Sequence, residues 1–542
     1  MILDRKAWTA RKSAGVTGLI FFGWRGSIVA ILAALAVSFF LFGYWWPYWR
    51  SADMDFMLVY QAFLLNFGLP QDFFDHPGYL NILLLDGWFN LLHRIGILGV
   101  ISLSDIPPAS NTAAFNAIWT DAVRAGRVLS LIIAGTFIVL FAELFRKLIR
   151  DWQIAVLAAF CLAFSGGVMM EARIMRTELL TAALVTAGLL LLLIAARTPQ
   201  SSFRPILVGL AAMLCMLAIA NKVQAILLAS ALPLIVVFFG CRSEGAGNFW
   251  QSRLAVPVLL LLAVVASLLA IPAGHLVVFG LSHTAESHAG LRSVAFGYYG
   301  VYQAILAIWV ISSMLVFAEV WRVQAIETAA AVLAVIAGVS LGLLALDLVY
   351  NPQNVIAAIN PIEHMLVYAT WANPDLGHAD GILNGRMFHS LGKGVLDVLA
   401  RRTFVLHTSS RPTLVLEWLV IAGAVLAWRR GQHRVFWQLA VVMPTVWVVD
   451  VFGTLRGLKI EYYTFTDPLV IIAAGWLLVN LPDLKTHRWA FSIGVAVLAI
   501  HVVVSQAEPV KHTFSRVGPE RACVWLPDYV KLIERFPFCP SH

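Results

Sequence analysis

The stretch "SIVAILAALAVSFFLFGYWW" (27–46) is an unbroken apolar run, and its length decides what kind of chain this is. A helix rises about 1.5 Å per residue, so about 20 apolar residues cross the ~30 Å hydrocarbon core of a bilayer. The run is too long for the h-region of a secretion signal and ends in aromatics rather than a small-residue cleavage site, so it is expected to stay in the membrane. Similar runs recur along the whole sequence. Of the 542 residues, 60% are hydrophobic and 13% charged, with a mean hydropathy of +0.82. An average soluble domain carries about 25% charged residues, and that class is excluded.

Reading each run as a helix places spans near 27–46, 128–146, 153–170, 178–196, 205–220, 225–240, 255–281, 299–320, 328–349, 413–428, 435–453, 463–480 and 489–505. The expectation is an all-α polytopic membrane protein with about thirteen spans. The net charge of +8 comes from Lys and Arg scattered singly or in small groups between the runs. That is the pattern of topology signals, not of a nucleic-acid surface, so no nucleic-acid partner is expected.

Lys and Arg in short loops mark the cytoplasmic side. Arg5, Lys6, Arg11, Lys12 and Arg25 precede the first span, Arg146, Lys147 and Arg150 follow the second, and Arg429, Arg430 and Arg434 follow the tenth. All fall on one face if every span is counted. Residues 1–26 are then cytoplasmic, and 27–505 form the membrane domain. The outer face holds a first loop at 47–127, a turn at 170–178, a long loop at 350–412, a turn at 454–463 and the tail 506–542. Cys161, Cys215 and Cys241 lie in or beside apolar runs and read as packing residues. Cys523 and Cys539 lie in the outer tail, where an oxidising compartment permits a disulfide.

The first loop is more than coil. In "YLNILLLDGWFNLLHRIGIL" (79–98), Leu83, Leu84, Trp88, Leu91, Leu92 and Ile95 recur at near-helical spacing, which predicts an amphipathic helix in the membrane interface. The prolines and serines of "SLSDIPPASN" (102–111) mark a break before a second helix beginning near Thr112. No repeat of fixed period and no low-complexity tract is evident.

Phosphate-loop, dinucleotide, CxxC and HExxH signatures are absent, which removes the usual warrants for nucleotide-driven transport, redox chemistry and zinc proteolysis. Polar residues at the outer edge remain. In "YWRSADMDFMLVY" (48–60), Asp53 and Asp55 follow the first span; one reading makes them caps of the helix that starts there, worth ~0.3–1 kcal/mol. Asp72, Asp75 and His76 come soon after. Glu178 stands with Arg173 and Arg176 in "ARIMRTELLTAAL" (172–184), where local pairing of the arginines with Glu171 and Glu178 is the structural alternative.

The order of these features resembles the GT-C membrane glycosyltransferases, and within them the branch of lipid A aminoarabinose transferase and the protein O-mannosyltransferases. Asp53, Tyr60, Gly68 and "HPG" (76–78) are the nearest equivalents of that branch's first-loop motif. Met54 stands where the branch has Glu, and His76-Pro77-Gly78 where it has Lys-Pro-Pro. The stretch 172–184 is similar to the second acidic motif, with Glu178 as its acid. "LKIEYYTFTDPLVIIAAG" (458–475) resembles the late basic-Tyr-Pro segment, with Lys459, Tyr462, Tyr463 and Pro468 in register.

The resemblance implies a GT-C fold with interfacial helices in the first periplasmic loop of a bacterial inner-membrane enzyme. It implies transfer of a sugar from a polyprenyl-phosphate donor to a lipid, glycan or protein acceptor of the cell envelope, such as lipopolysaccharide. Asp53 or Asp55 would be the general base, with Glu178 as a second catalytic acid. Lys459, His76, Arg173, Arg176, Tyr462 and Tyr463 would hold the donor phosphate; Asp75, Glu363, His364 and Arg386 would contact substrate. A divalent Mg or Mn ion bridging Asp53 or Asp55 to the phosphate is compatible with this chemistry. Two rivals stand beside it. An O-antigen ligase or polymerase would use Arg386, His389 and Arg401 of the late loop. A non-enzymatic transporter would place an ionisable group such as Asp450 on a pathway through the spans.

Overall fold

The computed structural model describes residues 23–69, 78–198, 203–241, 253–287, 299–349, 385–403, 410–454, 458–481 and 490–515, with scattered positions of the tail beyond; at 53, 277–287, 299–303, 385–388, 390, 490 and 491 it describes the backbone alone. Every regular element among the described residues is helical. They run α1 (Trp24–Phe42), a π-helical turn (Ala52–Phe56), α2 (Met57–Asn66), α3 (Tyr79–Arg94), α4 (Thr112–Ile149), α5 (Trp152–Ala163), α6 (Gly166–Glu171), α7 (Thr177–Arg197) and α8 (Arg204–Asn221). They continue as α9 (Ala225–Phe239), α10 (Ala255–Ser287), α11 (Tyr299–Trp321), α12 (Ala325–Asp347), α13 (Gly385–Thr403), α14 (Leu414–Arg429), α15 (His433–Thr454), a 3₁₀ turn (Ile460–Phe465), α16 (Asp467–Asn480) and α17 (Ala490–Phe514).

Among the described residues, nine helices are long and apolar enough to cross a membrane, and α5, α9 and α16 are shorter apolar helices. The chain is therefore a multi-pass membrane protein. Two boundaries differ from the sequence reading. The second interfacial helix and the second span are one helix of 38 residues, α4, capped at its start by Asn111. Nothing in "TAAFNAIWTDAVRAGRV" breaks a helix, so at about 1.5 Å per residue it extends well beyond a ~30 Å core. The third span is interrupted instead. α5 ends at Ala163, and α6 restarts at Gly166 after Phe164 and Ser165. A side chain at Gly166 would come 2.5 Å from the Ser505 carbonyl, and one at Gly167 would come 2.4 Å from Thr464 Oγ1. Only glycine admits so close an approach, and the break turns Glu171 towards Thr464.

Two cores divide the molecule. The larger runs through the membrane-spanning helices, with Phe141, Phe145, Leu190, Val470 and Leu477 among its buried members. Between helices in lipid, close packing and hydrogen bonds hold this core together, because lipid tails are as apolar as the side chains. The second caps one end of the bundle, where Phe56, Tyr60, Phe63, Phe89 and Trp119 pack with Leu526, Val530 and Phe536 of the tail. There the water-driven burial of each large side chain contributes about 1.5–3 kcal/mol. The expected amphipathic helix is present as α3, whose Leu84 and Leu91 stay exposed while Ile82, Leu85 and Phe89 are buried against this second core.

Candidate active site

Chain direction brings the ends of α1, α5, α8, α15 and α17 and the starts of α4, α7, α9, α14 and α16 to one end of the bundle, and the polar side chains collect there. The π turn carries both aspartates. Such turns widen the backbone and frequently occur at functional sites. Asp55 is fully buried. Its Oδ2 accepts from Arg127 Nε at 2.9 Å and Nη2 at 2.6 Å, and its Oδ1 accepts from the Met175 amide at 2.7 Å. Arg127 also donates to the Trp46 carbonyl at 2.6 Å and the Pro47 carbonyl at 3.1 Å. Asp55 therefore does not cap α2; it ties the first loop to α4 and to the 172–176 turn. The side chain of Asp53, two residues earlier in the same turn, lies outside the described residues.

Glu178, buried at the start of α7, is the centre of a second group. Its Oε1 lies 3.3 Å from Arg176 Nη2 and 3.0 Å from Lys222 Nζ. Arg176 reaches onward to Glu461 Oε1 at 3.1 Å. Glu171 completes the group from α6, receiving a hydrogen bond from Thr464 Oγ1 at 3.3 Å while its Oε2 is buried without a partner. Burial, then the neighbouring Glu178 carboxylate, push the Glu171 carboxyl well above the usual carboxylate range, with Arg176 opposing them. With Glu171 holding its proton, Arg176 and Lys222 balance Glu178 and Glu461.

The sign of that shift gives a prediction. The folded protein keeps the Glu171 proton where the unfolded chain, at its ordinary value of 4.5, has lost it. The stability is fully present below that value and falls as pH rises towards the folded value, by about 1.4 kcal/mol per pH unit. Glu171→Gln, which cannot ionise, should remove this part of the pH dependence. Melting temperatures of both proteins in detergent between about pH 5 and pH 9 measure it; parallel curves would show that Glu171 does not hold the proton.

Asn81 and Asn221 lock the frame. Asn221 Nδ2 donates to Asn81 Oδ1 at 2.7 Å, to Thr181 Oγ1 at 2.9 Å and to the Thr177 carbonyl at 3.0 Å. The Asn81 amide donates to Asn221 Oδ1 at 3.0 Å, and the amide of Gly78, at φ +60°, donates to the Asn221 carbonyl at 3.0 Å. The end of the "HPG" stretch is thus fixed against α7 and α8.

A third group adjoins through the 3₁₀ turn. Arg402 bridges Glu417 and Asp450 at 2.6 Å each. Arg411 pairs with Asp450, lies 3.0 Å from Glu417 Oε2 and 3.5 Å from Asp467 Oδ1, and donates to Thr413 and Thr466 hydroxyls. Its guanidinium also sits 5.1 Å over the Tyr463 ring. Glu461 and Thr464 of the 3₁₀ turn face the Glu178 group, while Tyr463 and the following Thr466 face the Arg411 group. One short segment therefore links both.

The expected residues divide accordingly. Asp55, Glu178, Arg173, Arg176 and Tyr463 are brought to this end of the bundle and buried or nearly so; Lys459 precedes the 3₁₀ turn and is exposed, and Tyr462 is half-buried. Arg173 does not pair with Glu171: it donates to Ser38 Oγ at 2.7 Å and Thr513 Oγ1 at 3.2 Å. Asp75, His76, Glu363 and His364 lie outside the described residues, as does the side chain of Arg386. No group of three or more His, Cys, Asp or Glu side chains is arranged to hold a metal among the described residues. Cys523 and Cys539 are joined in a disulfide. Sequence reasoning passed over Arg127, Lys222 and Arg411. Lys222 had a signal, a lone cation in a short turn on the predicted outer face between two apolar runs. Comparison of the chain with protein-family models, curated proteins and solved structures finds no match.

Proposed function

We propose that this protein is a GT-C-type glycosyltransferase that moves a sugar from a polyprenyl-phosphate donor to a lipid or glycan acceptor on the periplasmic face of the inner membrane. One observation carries the reading. Stretches resembling the family's motifs, at 53–60, 76–78, 172–184 and 458–475, come from three distant parts of the chain, and their described parts are tied together by the Asp55 to Met175 and Arg176 to Glu461 contacts and, through Asn221, by Gly78 to Thr177. Convergence at one end of an apolar bundle is what a reaction between a lipid-borne donor and a polar acceptor requires.

Topology supports the same reading. On this reading the nine long apolar helices cross the membrane together with the shorter α5, α9 and α16 and the 16-residue α14, in keeping with the expected thirteen spans. An odd count puts the first loop and the tail on one face, in agreement with the packing of Phe536 5.6 Å from Phe56 and with the hydrogen bond from Arg50 to the Ser515 carbonyl at 3.1 Å. A tail disulfide fits an oxidising compartment.

In this mechanism Asp53 takes the proton of the acceptor nucleophile as its oxygen bonds to the anomeric carbon. The bond from that carbon to the phosphate oxygen breaks, and polyprenyl phosphate leaves with the electron pair. Asp55, engaged by Arg127 and the Met175 amide, is the positioning residue that holds the π turn. Lys459 at the rim and Arg176 supply positive charge for the departing phosphate. Asp450, the group a transporter would need free, is engaged by Arg402, Arg411 and Thr466.

Mass spectrometry of envelope glycolipids from a deletion strain and its parent tests the proposal. The expected change is loss of a single-sugar mass from one glycolipid class; identical profiles would overturn the reading.

A further inference from the structure

Most buried cations at the outer end have a carboxylate. Arg127 has Asp55, Arg176 and Lys222 have Glu178, and Arg402 and Arg411 have Glu417 and Asp450. Among the described residues, Arg50 and Arg173 have none. Arg173 is 4% exposed and donates to two hydroxyls, those of Ser38 and Thr513. Arg50, half-buried, donates to main-chain carbonyls of His512, Thr513 and Ser515. The two guanidinium groups therefore meet at residue 513, one on its carbonyl and one on its hydroxyl. Arg50 also lies 4.3 Å over the Trp46 ring, which stands 5.2 Å from the His512 ring. Arg50 Nε, Arg173 Nε and His512 Nδ1 are all buried without a hydrogen-bond partner.

A structural account would make the arginines a C-terminal cap of α17. A helix end offers the equivalent of roughly half a negative charge, against two full positive charges. More than one positive charge is left over in a partly desolvated place, and burying an unpaired charge is costly. Burial pulls the Arg173 guanidinium down to about 10 and also lowers that of Arg50, which the nearby Arg127 lowers further. Among the described residues, the carboxylate that acts here is Glu461, through His512, and Arg176 already pairs with it, so the place is short of negative charge.

We propose that Arg50, Arg173 and His512 form a binding site for a phosphate-class anion, at the junction of the first loop, the 172–176 turn and the end of α17. Guanidinium forks suit phosphate oxygens, and the position at the outer end of α1 and α17 suits a phosphate carried on a lipid. The proposal deepens the transferase reading, which expects Arg173 at the donor phosphate, and the contacts of Arg50, Arg173 and His512 carry it.

Purified protein in detergent is titrated with inorganic phosphate and, separately, with a short-chain polyprenyl phosphate, for the wild type, Arg50→Gln, Arg173→Gln and His512→Gln. Saturable binding is expected, weakened about tenfold or more by loss of either arginine, since a hydrogen bond to a charged group contributes about 1.5–3 kcal/mol. Binding of the lipid form with far weaker binding of inorganic phosphate identifies a lipid headgroup; equal binding identifies free phosphate. If Arg173→Gln fails to fold, Arg50→Gln and His512→Gln carry the test. Binding of both probes unchanged in the folded variants, or no binding by the wild type, overturns the proposal. Phosphate binding without any transfer activity would leave the site standing while the transferase reading fell, and transfer with unaltered binding in the variants would do the reverse.

Discussion

Asp53→Asn is expected to lower sugar transfer about 100-fold or more with folding retained, whereas Asp55→Asn is expected to damage the fold itself. A positioned general base contributes roughly 10²–10⁴ in rate, and Asn keeps the shape of Asp without accepting a proton. Asp55 differs because its buried carboxylate faces Arg127 at 2.6 Å. Removing one member of such a pair strands the other charge and costs about 3–5 kcal/mol. Replacing both, as in Asp55→Asn with Arg127→Met, should recover much of the stability, since the uncompensated charge is gone. Transfer rates and melting temperatures of the three variants provide the check. A stable, fully active Asp53→Asn protein would remove Asp53 from the chemistry; a stable but inactive Asp55→Asn protein would exchange the two roles.

Arg411→Met carries the second large effect. Arg411 is fully buried among Glu417, Asp450 and Asp467, and Arg402 is the other cation of the group. Without Arg411, one guanidinium faces three carboxylates, and a loss of about 3–5 kcal/mol is expected. Because the Tyr463 ring and the Thr466 hydroxyl also contact Arg411, the 3₁₀ turn should loosen, and transfer should fall with stability. Adding Asp467→Asn to Arg411→Met relieves part of the excess negative charge. A double-mutant cycle should therefore show coupling of about 0.5–3 kcal/mol; simple additivity would mean that the group is not a unit.

Much of the membrane architecture was legible because apolar run length is a direct physical signal. The limits were the places where backbone detail decides. The sequence of α4 contains no helix breaker, so the join between interfacial helix and span leaves no mark that hydropathy can read. The break between α5 and α6 depends on how closely Gly166 and Gly167 approach Ser505 and Thr464, which are hundreds of residues away. The site was legible in the same partial way. Glu178 stood out as an acid opening a helix after an arginine, and its pairing with Arg176 is local. Its pairing with Lys222 is not, nor is that of Asp55 with Arg127, because a helix face and a distant turn must be assembled before either cation has a meaning. The local reading of Arg173 with Glu171 failed for the converse reason: the α6 break turns Glu171 towards Thr464 and leaves Arg173 facing α1 and α17.

The most direct measurement reconstitutes the purified protein in liposomes with a labelled polyprenyl-phosphate sugar and an envelope-lipid extract, then follows the label. The account predicts that the label enters a new glycosidic bond on the acceptor as polyprenyl phosphate is released, and that Asp53→Asn stops both. Label that crosses the membrane on its intact donor, with no new bond formed by the wild-type protein, would contradict it.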